Sequence, residues 1–474
     1  MDFAQARSYL SSATSFGIRL GLHRITRLVE LLGNPERKLR CFHVAGTNGK
    51  GSVSAYCANI LALSGHRVGV FTSPYLVRLT ERIRVIDGRD GLAALQEDES
   101  AGEINRADFA RVMTLVRKAV EQMQQEGYEH PTEFEMLTAA AFLHFVATGC
   151  KVVVLETGLG GRLDSTNVIR KPLACIITAL GYDHTDRLGG TMAEIAAEKA
   201  GIIKSKRPVF LRDPRELGLA QEEGEAALRV IRLCCEKKHA PLHLIGRNDI
   251  EVLGYGRDGQ VFQDRSSEQI FQTGLLGLYQ PQNALLAARA CQTTGLADPE
   301  AVAAGIAAAR WPARMEILRQ QPLILIDGAH NPQGCQALAE TLAKLHPGRP
   351  VVYLAGMLED KDYRRMIDAV LDNPACPAHA FVCVRPDNPR GLPAETLAGH
   401  VRESVERLHN RSSSGYNIKG AIYAADSPLT GAKLALRLAQ EGHAALCAFG
   451  SLYLVGGLRV ILKDLEAQDW TGTS

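Results

Sequence analysis

The stretch HVAGTNGKGSVS, residues 43–54, joins a short apolar run to a helical pattern and decides how the chain can fold. It departs from the common phosphate-binding loop, G-x-x-x-x-G-K-[ST], at two places. Val44 stands where that pattern has its first glycine, and Gly51 follows Lys50 where the pattern has a hydroxyl residue. The hydroxyl comes one position later, at Ser52. The question is whether a nucleotide still binds there, and for what reaction.

The residues of this stretch suit an anion for physical reasons. Residues 41–45 are predicted to form a strand, and a helix is predicted from Ser52 to about Gly65. Three glycines between them permit backbone torsions that turn N–H groups toward an anion. The helix N-terminus adds further N–H groups and the positive end of the helix dipole, and Lys50 adds a mobile charge. A glycine-rich turn without a ligand is the alternative.

Beyond this loop, short apolar runs alternate with helical patterns along the whole chain. Strands rich in Val and Ile that alternate with helices indicate parallel sheets covered on both faces, and hence an α/β fold. Pro312 interrupts an Ala-rich helical stretch, so we place a boundary near Trp311 and expect domains at 1–311 and 312–474. The predicted strands are 41–45, 67–71, 152–156, 175–178 and 208–211, then 323–326, 351–355, 381–384, 421–424 and 445–449. Exposed polar loops are predicted at 87–103 and 411–419.

The bulk composition argues against several classes of protein. The chain has 474 residues, of which 46% are hydrophobic, and a formal net charge of +2. A nucleic-acid protein would usually carry a basic face. Eleven cysteines without a C-x-x-C pair indicate buried, reduced thiols. No apolar run approaches the roughly 20 residues of a membrane span, and the N-terminus lacks the apolar core of a signal peptide. We expect a cytoplasmic monomer without nucleic-acid or membrane partners.

A metal ion would need ligands beyond the loop. Gly51 cannot ligate Mg²⁺, so either Ser52 does or other donors are required. Glu156 ends a predicted strand, and Asp183 and His184 follow the next one. Ligands of open parallel sheets collect at these carboxyl ends, which makes Glu156 and His184 candidate ligands. A His ligand would be unusual for Mg²⁺, which prefers oxygen. A solvent-facing glutamate and a structural histidine are the alternatives.

The segment TMAEIAAEKAGIIK, residues 191–204, predicts a short helix. Thr191 and Glu194 make a capping box, and Gly201 can end the helix. Lys199 shares one face with three apolar residues at helical spacing. Such a lysine either extends its ammonium group to water or stays interior with a lowered pKa. A neutral interior lysine can react with CO₂ to form a carbamate, which acts as a long carboxylate.

Together these pieces resemble the folylpolyglutamate synthase and dihydrofolate synthase family of the Mur-ligase superfamily. The motifs run in the family's order from about residue 43 to 332, and flanking matches extend the resemblance over nearly the whole chain. They read HVAGTNGKGS, SPYLVRLTERI, TEFEMLTAAAF, ETGLGGRLDSTN, GYDHTDRLGGTMAEIAAEKAGIIK, QPQNALLA, WPARME and IDGAHNP. The resemblance implies an N-terminal P-loop-type ATPase domain with a mostly parallel sheet, which also holds the pterin substrate. It also implies a C-terminal Rossmann-like α/β domain for glutamate ligation.

The resemblance further implies roles for individual residues. The residues implied to bind ATP are Thr47, Asn48, Gly49, Lys50, Gly51, Ser52, Asn283, Arg314 and Asp327. Those implied to bind Mg²⁺, as two ions, are Ser52, Ser73, Glu156, His184 and a carbamylated Lys199. Those implied to hold the pterin-bearing substrate are Arg19, Leu20, Gly21, Leu22, Thr132, Glu133, Gly160, Gly161, Arg162 and Asp164.

The implied reaction is the ATP-driven ligation of L-glutamate to a folate, to dihydropteroate or to both. ATP would phosphorylate the substrate carboxylate, and the glutamate amine would attack the acyl phosphate, so that ADP and phosphate are released. Lys50, loop amides and Mg²⁺ would neutralise the negative charge of the ATP phosphates and of the attacking carboxylate. The Lys199 carbamate would hold a second Mg²⁺. His330 would either orient glutamate or phosphate, or only cap its loop. The alternatives are another amino-acid ligase of the superfamily and a nucleotide-binding regulatory module without turnover.

Overall fold

The computed structural model describes residues 1–17, 19–411 and 421–469. These residues form two compact units. The first comprises Met1–Leu253, Val261–Gln272 and Pro281–Ala309, and the second comprises Gly254–Gln260, Thr273–Gln280 and the chain from Arg310 onward. Of the predicted loop at 411–419, everything beyond Arg411 lies outside the described residues.

The first unit is built on a seven-stranded sheet. Its strands are β1 (Arg40–Ala45), β2 (Arg67–Phe71), β3 (Ile83–Asp87), β4 (Val152–Glu156), β5 (Ala174–Ile177), β6 (Val209–Arg212) and β7 (Leu242–Ile245). Their order is β3-β2-β4-β1-β5-β6-β7, and every neighbouring pair is parallel except β2 with β3. The predicted parallel sheet is confirmed, and β2 and β4 have the predicted bounds.

Helices cover both faces of this sheet. Before residue 310 they are α1 (Phe3–Ser12), α2 (His23–Leu31), α3 (Lys50–Leu63), α4 (Gly88–Glu97), α5 (Arg106–Gln125), α6 (Glu133–Ala147), α7 (Thr185–Leu188), α8 (Met192–Ala200), α9 (Gln221–Lys238), α10 (Gln280–Thr293) and α11 (Pro299–Ala308). One core packs α1, α2, α5 and α6 against Phe71 and Val153. A second core, on the same face of the sheet, packs α8 and α9 against Ile177 and Val209. Helix α3 packs against β2 and β4. Strands buried on both faces are mostly apolar, which is why the sequence pattern could predict them.

Two local predictions need correction. The stretch 87–103 is not only a loop, because α4 occupies most of it and buries Leu92. Helix α3 begins at Lys50, two residues before the predicted start, so Ser52 lies in its first turn. The cysteine prediction is confirmed, since all eleven are free and all but the half-buried Cys234 are buried.

A small sheet follows the first seven strands and was not predicted. It consists of β8 (Ile250–Gly256), β9 (Gly259–Asp264) and β10 (Ile270–Thr273) in the order β10-β9-β8. In β8, which reads IEVLGYG, Glu251 and Gly254 interrupt the apolar residues, and Val252 and Leu253 are exposed.

As far as the structure describes it, the second unit contains a six-stranded sheet and five helices. Its strands are β11 (Glu316–Gln320), β12 (Leu323–Ile326), β13 (Val351–Ala355), β14 (Ala378–Cys383), β15 (Ile422–Ala424) and β16 (Ala445–Phe449), in the order β11-β12-β16-β13-β14-β15. Only β11 is antiparallel to its neighbour. The helices are α12 (Pro332–Leu345), α13 (Tyr363–Leu371), α14 (Ala394–Arg411), α15 (Pro428–Glu441) and α16 (Leu452–Asp469). The predicted α/β class is confirmed. Among the described residues, no helix combines the length and apolar character needed to cross a membrane.

Candidate functional site

Four loops meet at the carboxyl edge of the first unit's sheet. Strands β2, β4, β1 and β5 are consecutive neighbours, so the loops that follow them lie side by side. Ser73 comes two residues after β2, Glu156 ends β4 in register with Val44, and His184 lies in the connection after β5. The 46–49 loop follows β1, between the other loops. The sheet order thus brings together residues from four distant stretches of sequence, as parallel sheets do at their ligand sites.

The 46–49 loop is held in shape by the loop after β5. The backbone N–H groups of Thr47 and Asn48 both donate to Ala179 O, at 2.8 and 3.2 Å. Thr47 Oγ1 also donates to Gly181 O at 3.0 Å. These two amides are therefore structural. The N–H groups that suit an anion are those of the first turn of α3, where a helix lacks intrahelical acceptors.

Two glycines allow the loop to pack this closely. Gly46 has φ 151°, and a Cβ there would lie 1.8 Å from Thr178 Oγ1. Gly49, the N-cap of α3, has φ 92°, and a Cβ there would lie 3.0 Å from the side chain of Asn283. Asn283 is 1% exposed. The contact brings one predicted ATP-binding residue of α10 to the N-terminus of α3.

Two lysines share one carbonyl at the base of this loop. Lys50 Nζ lies 3.1 Å from Gly46 O and 3.1 Å from Thr47 O. Lys199 Nζ, on α8, lies 2.9 Å from the same Gly46 O and is buried. Burial, and then the charge of Lys50, lower the pKa of Lys199 from its ordinary 10.5 to about 7. Near neutral pH, much of the Lys199 amine is therefore uncharged and nucleophilic.

Helix α8 has the predicted form. Thr191 and Glu194 make both contacts of the capping box, and Gly201 is the C-cap. The buried residues of α8 are Met192, Ile195, Ala196, Lys199 and Ala200, so the face assignment is confirmed. The interior alternative for Lys199 is the one that the structure adopts, since its side chain ends at a backbone carbonyl and not in solvent.

The glycine-rich loop 158–162 supports the C-terminal turn of α8. Arg162 N donates to Glu198 O at 2.7 Å, and Arg162 Nη2 pairs with Glu198 Oε1 at 2.7 Å. A Cβ on Gly161 would lie 2.9 Å from Glu198 O and 3.0 Å from Lys199 O, and one on Gly160 would lie 2.9 Å from a methyl of Leu188. These glycines let the loop pack against α7 and α8.

Asp164 closes this loop from inside. Its Oδ2 accepts from Leu159 N at 2.8 Å, and its Oδ1 accepts from Thr166 N and Oγ1 at 3.0 and 2.6 Å. Asp164 is 4% exposed, and burial raises the pKa of its carboxyl. Both oxygens are thus occupied by the loop itself, so the geometry gives Asp164 a structural task beside its predicted contact with substrate.

The candidate metal ligands offer oxygen donors at the edge of the sheet. Glu156 is 4% exposed, and its Oε2 accepts from Ser73 N at 3.3 Å. His184 has φ 51°, and its backbone N–H donates to Asp183 Oδ1 at 3.0 Å. The described residues hold no cluster of three or more His, Cys, Asp and Glu side chains suited to a metal. A carboxylate with serine hydroxyls fits Mg²⁺, which takes few protein ligands and keeps several waters.

The predicted substrate residues near the N-terminus are held by a buried ion pair. Arg24 Nη2 donates to Arg19 O at 2.8 Å, which fixes the segment 19–22. Arg24 Nε pairs with Glu135 Oε2 at 3.1 Å, and both side chains are almost fully buried. Glu135 completes the capping box of α6 with Thr132, and Glu133 accepts from Thr14. Sequence reasoning missed Arg24 and Glu135, although Glu135 lies inside the quoted motif TEFEMLTAAAF.

In the second unit, the predicted residues Arg314, Asp327 and His330 lie in one group of loops. Asp327 follows β12, is 4% exposed, and accepts from Met315 N and Ala329 N at 2.7 and 2.8 Å. Burial raises the pKa of Asp327, against the opposing charge of Arg314. His330 Nδ1 lies 2.7 Å from Gly328 O, which orients its ring. Burial and backbone contacts thus hold this group in place.

Comparisons with known proteins agree with this architecture. Residues 103–291 match the Mur ligase middle domain, and residues 313–451 match the Mur ligase glutamate ligase domain. The dihydrofolate synthase/folylpolyglutamate synthase of Bacillus subtilis is 38% identical over 409 residues, which cover 83% of this chain and 88% of the relative. The folylpolyglutamate synthase of Lacticaseibacillus casei is 35% identical, over 90% of this chain and 98% of that one.

Solved structures give the same result. Mycobacterium tuberculosis folylpolyglutamate synthase, complexed with ADP and AMPPCP, aligns with a TM-score of 0.80 at 29% identity, over 97% of this chain and 98% of that one. Escherichia coli FolC, in complex with DHPP and ADP, aligns with a TM-score of 0.78 at 27% identity, over 99% of both chains.

Proposed function

The chain belongs to the family of folylpolyglutamate synthases and dihydrofolate synthases, and from that premise we propose which residues carry its reaction. It is an ATP-dependent ligase that joins L-glutamate to a folate, to dihydropteroate or to both. The observation that best supports a site in the first unit is the pair of lysines on Gly46 O, beside the N-terminus of α3. Membership of this family argues against the two alternatives, another ligase of the superfamily and a regulatory module without turnover.

The first turn of α3 is the proposed site of the ATP phosphates. Lys50 and the N–H groups of Gly51 and Ser52 would neutralise charge as the substrate carboxylate attacks the terminal phosphate. The amides of Thr47 and Asn48, already bonded to Ala179, would keep the loop in shape. The resulting acyl phosphate would then react with the glutamate amine and release phosphate, with positioning and electrostatics supplying the catalysis.

Magnesium ions would be held by Ser52, Ser73, Glu156 and His184, with Lys199 as a carbamate for a second ion. A bound Mg²⁺ would supply positive charge against the phosphate oxygens. The lowered pKa of Lys199 supports the carbamate, because only the neutral amine adds to CO₂. A carbamate would also place an anion at this buried position, which suits a metal next to phosphate.

The two parts of the chain would divide the work. Residues 1–311 would bind ATP and the pterin-bearing substrate, the latter through 19–22, Thr132, Glu133 and 160–164. Residues 312–474 would serve glutamate ligation, a proposal that the glutamate-ligase-domain match over 313–451 supports. Arg314 and Asp327, which the family resemblance predicts to contact ATP, lie within these residues. The orientation of the His330 ring supports a role in holding glutamate or phosphate.

An ADP-release assay tests the proposal. Dihydropteroate and tetrahydrofolate would each be offered as acceptor, with and without L-glutamate. We expect ADP release only when ATP, an acceptor and glutamate are all present. Release without glutamate would indicate a simple ATPase, and no release with either acceptor would remove the folate assignment. The ratio of the two rates would show whether the enzyme has one activity or both.

A further inference from the structure

A buried polar chain connects β1 to the loop that supports Lys199. His43, in the middle of β1, is paired with β4 and β5 and fully buried. Its Nε2 lies 2.8 Å from Thr166 Oγ1. Thr166 donates its one hydroxyl hydrogen to Asp164 Oδ1 at 2.6 Å. The Thr166 oxygen must therefore accept from His43, which fixes the imidazole hydrogen on Nε2.

The imidazole is neutral in this position. Burial, and then the charge of Lys204, lower the pKa of His43 to about 3. Its Nδ1 is buried and has no hydrogen-bond partner among the described residues. A hydrogen on Nδ1 would be a buried donor without an acceptor, which is costly. The direction of donation, from His43 to Thr166 to Asp164, is thus set by the environment.

Asp164 transmits this constraint to α8. Its other oxygen holds Leu159 N at 2.8 Å, which closes the 158–162 loop. The loop in turn donates from Arg162 N to Glu198 O at 2.7 Å. Gly201, the C-cap of α8, is packed so tightly that a Cβ would lie 2.3 Å from Arg162 Cα. The loop and the end of the helix can therefore move only together.

These contacts form a closed circuit that begins and ends on the same strand. The circuit leaves β1 at His43 and returns through Lys199 Nζ to Gly46 O, three residues further along the chain. We propose that Thr166 is a positioning residue, whose hydroxyl keeps the 158–162 loop and the end of α8 in register with β1 so that the Lys199 amine meets the phosphate-binding loop. The proposal rests on the role of Lys199 given above. It concerns how the amine is placed and not its chemistry.

Thr166→Val tests this role, because it keeps the shape of the side chain and removes both hydrogen bonds. Loss of a direct outer partner of a metal ligand commonly costs about 10- to 100-fold, and Thr166 acts on Lys199 through the loop and α8, so we expect kcat to fall by about 10-fold, the lower end of that range. Affinity for ADP should be unchanged, since the sheet still holds the phosphate-binding loop. Thr166→Ser should restore kcat. Thr138→Val is the matched control, because it removes a buried threonine hydroxyl whose one bond within the described residues is to Phe134 O in its own helix.

Hydrogen exchange gives a readout that does not depend on activity. The amides of Leu159 and Arg162 should exchange faster in Thr166→Val, and at the wild-type rate in Thr166→Ser and Thr138→Val. Equal kcat in Thr166→Val and Thr138→Val would overturn the proposal, as would equal losses of ADP affinity and kcat. If Thr166→Val does not fold, His43→Leu breaks the same link and should give the same loss of kcat. If neither Thr166→Val nor His43→Leu folds while Thr138→Val does, the proposal is also overturned, because the network would then be needed for folding and not for placing Lys199. If wild type releases no ADP with any acceptor, the proposed function fails, while the exchange result still reports on the network.

Discussion

Lys199→Met should make the protein more stable while it removes activity. The side chain is buried, and its pKa is lowered from 10.5 to about 7. At about 1.4 kcal/mol for each pH unit, the buried ammonium form costs about 5 kcal/mol relative to an exposed one. Methionine fills a similar volume without charge, although it gives up the hydrogen bond to Gly46 O, worth about 1 kcal/mol. Replacing a buried charge by an apolar residue typically gains about 1–4 kcal/mol, which is the gain expected here near pH 7.

The pH dependence of stability distinguishes removal of the buried charge from better packing as the reason for the gain. Because the unfolded lysine binds a proton up to about pH 10.5 and the folded one only to about 7, wild-type stability is lost as the pH falls between these values. The advantage of Lys199→Met should therefore disappear near pH 10. Urea unfolding in CO₂-free buffer at both pH values measures it, with exposed Lys118→Met as the control, expected within about 0.5 kcal/mol of wild type. A less stable variant at pH 7, or an advantage independent of pH, would refute the reasoning.

Other substitutions test the same loop and the second unit. Lys199→Ala should lower turnover strongly and regain part of it with formate or acetate, as measured by ADP release; near-normal turnover would exclude a metal-organising role. Gly46→Ala should abolish ADP binding in a titration, because its Cβ would lie 1.8 Å from Thr178 Oγ1, and undiminished binding would contradict this. Ala313→Gly should raise the free energy of unfolding by about 1 kcal/mol, since Ala313 has φ 55° and the left-handed region is costly for any residue with a Cβ. Ala309→Gly, at φ −66°, should lower that free energy in the same urea experiment, and equal changes would argue against backbone strain.

The parts of the fold that could be predicted are those in which the spacing of apolar residues corresponds to a buried face. The strands buried on both faces were legible as apolar runs, and β4 has the predicted bounds. The helical spacing of the apolar residues around Lys199 predicted the buried face of α8, because the helix packs on the sheet along that face. By contrast, Val252 and Leu253 of β8 are apolar but exposed, and α4 buries only Leu92. In such elements the apolar residues do not mark a buried face, so a pattern that is interpreted through burial does not identify the element.

The site divides along a similar line. Glu156 and His184 were predicted as ligands because polar residues at the ends of apolar strands collect at one edge of a parallel sheet. His43 lies within such a strand, where a polar side chain cannot reach water and must have a partner inside the protein. The sequence demands that partner but does not identify it, since Thr166 is 123 residues away and reaches His43 only through the order of the strands. The same holds for Gly46, whose carbonyl contacts two lysines that are 149 residues apart, a contact that no local pattern predicts. A polar residue in the interior of a buried strand therefore marks where a network must exist, and the sheet topology decides which residues complete it.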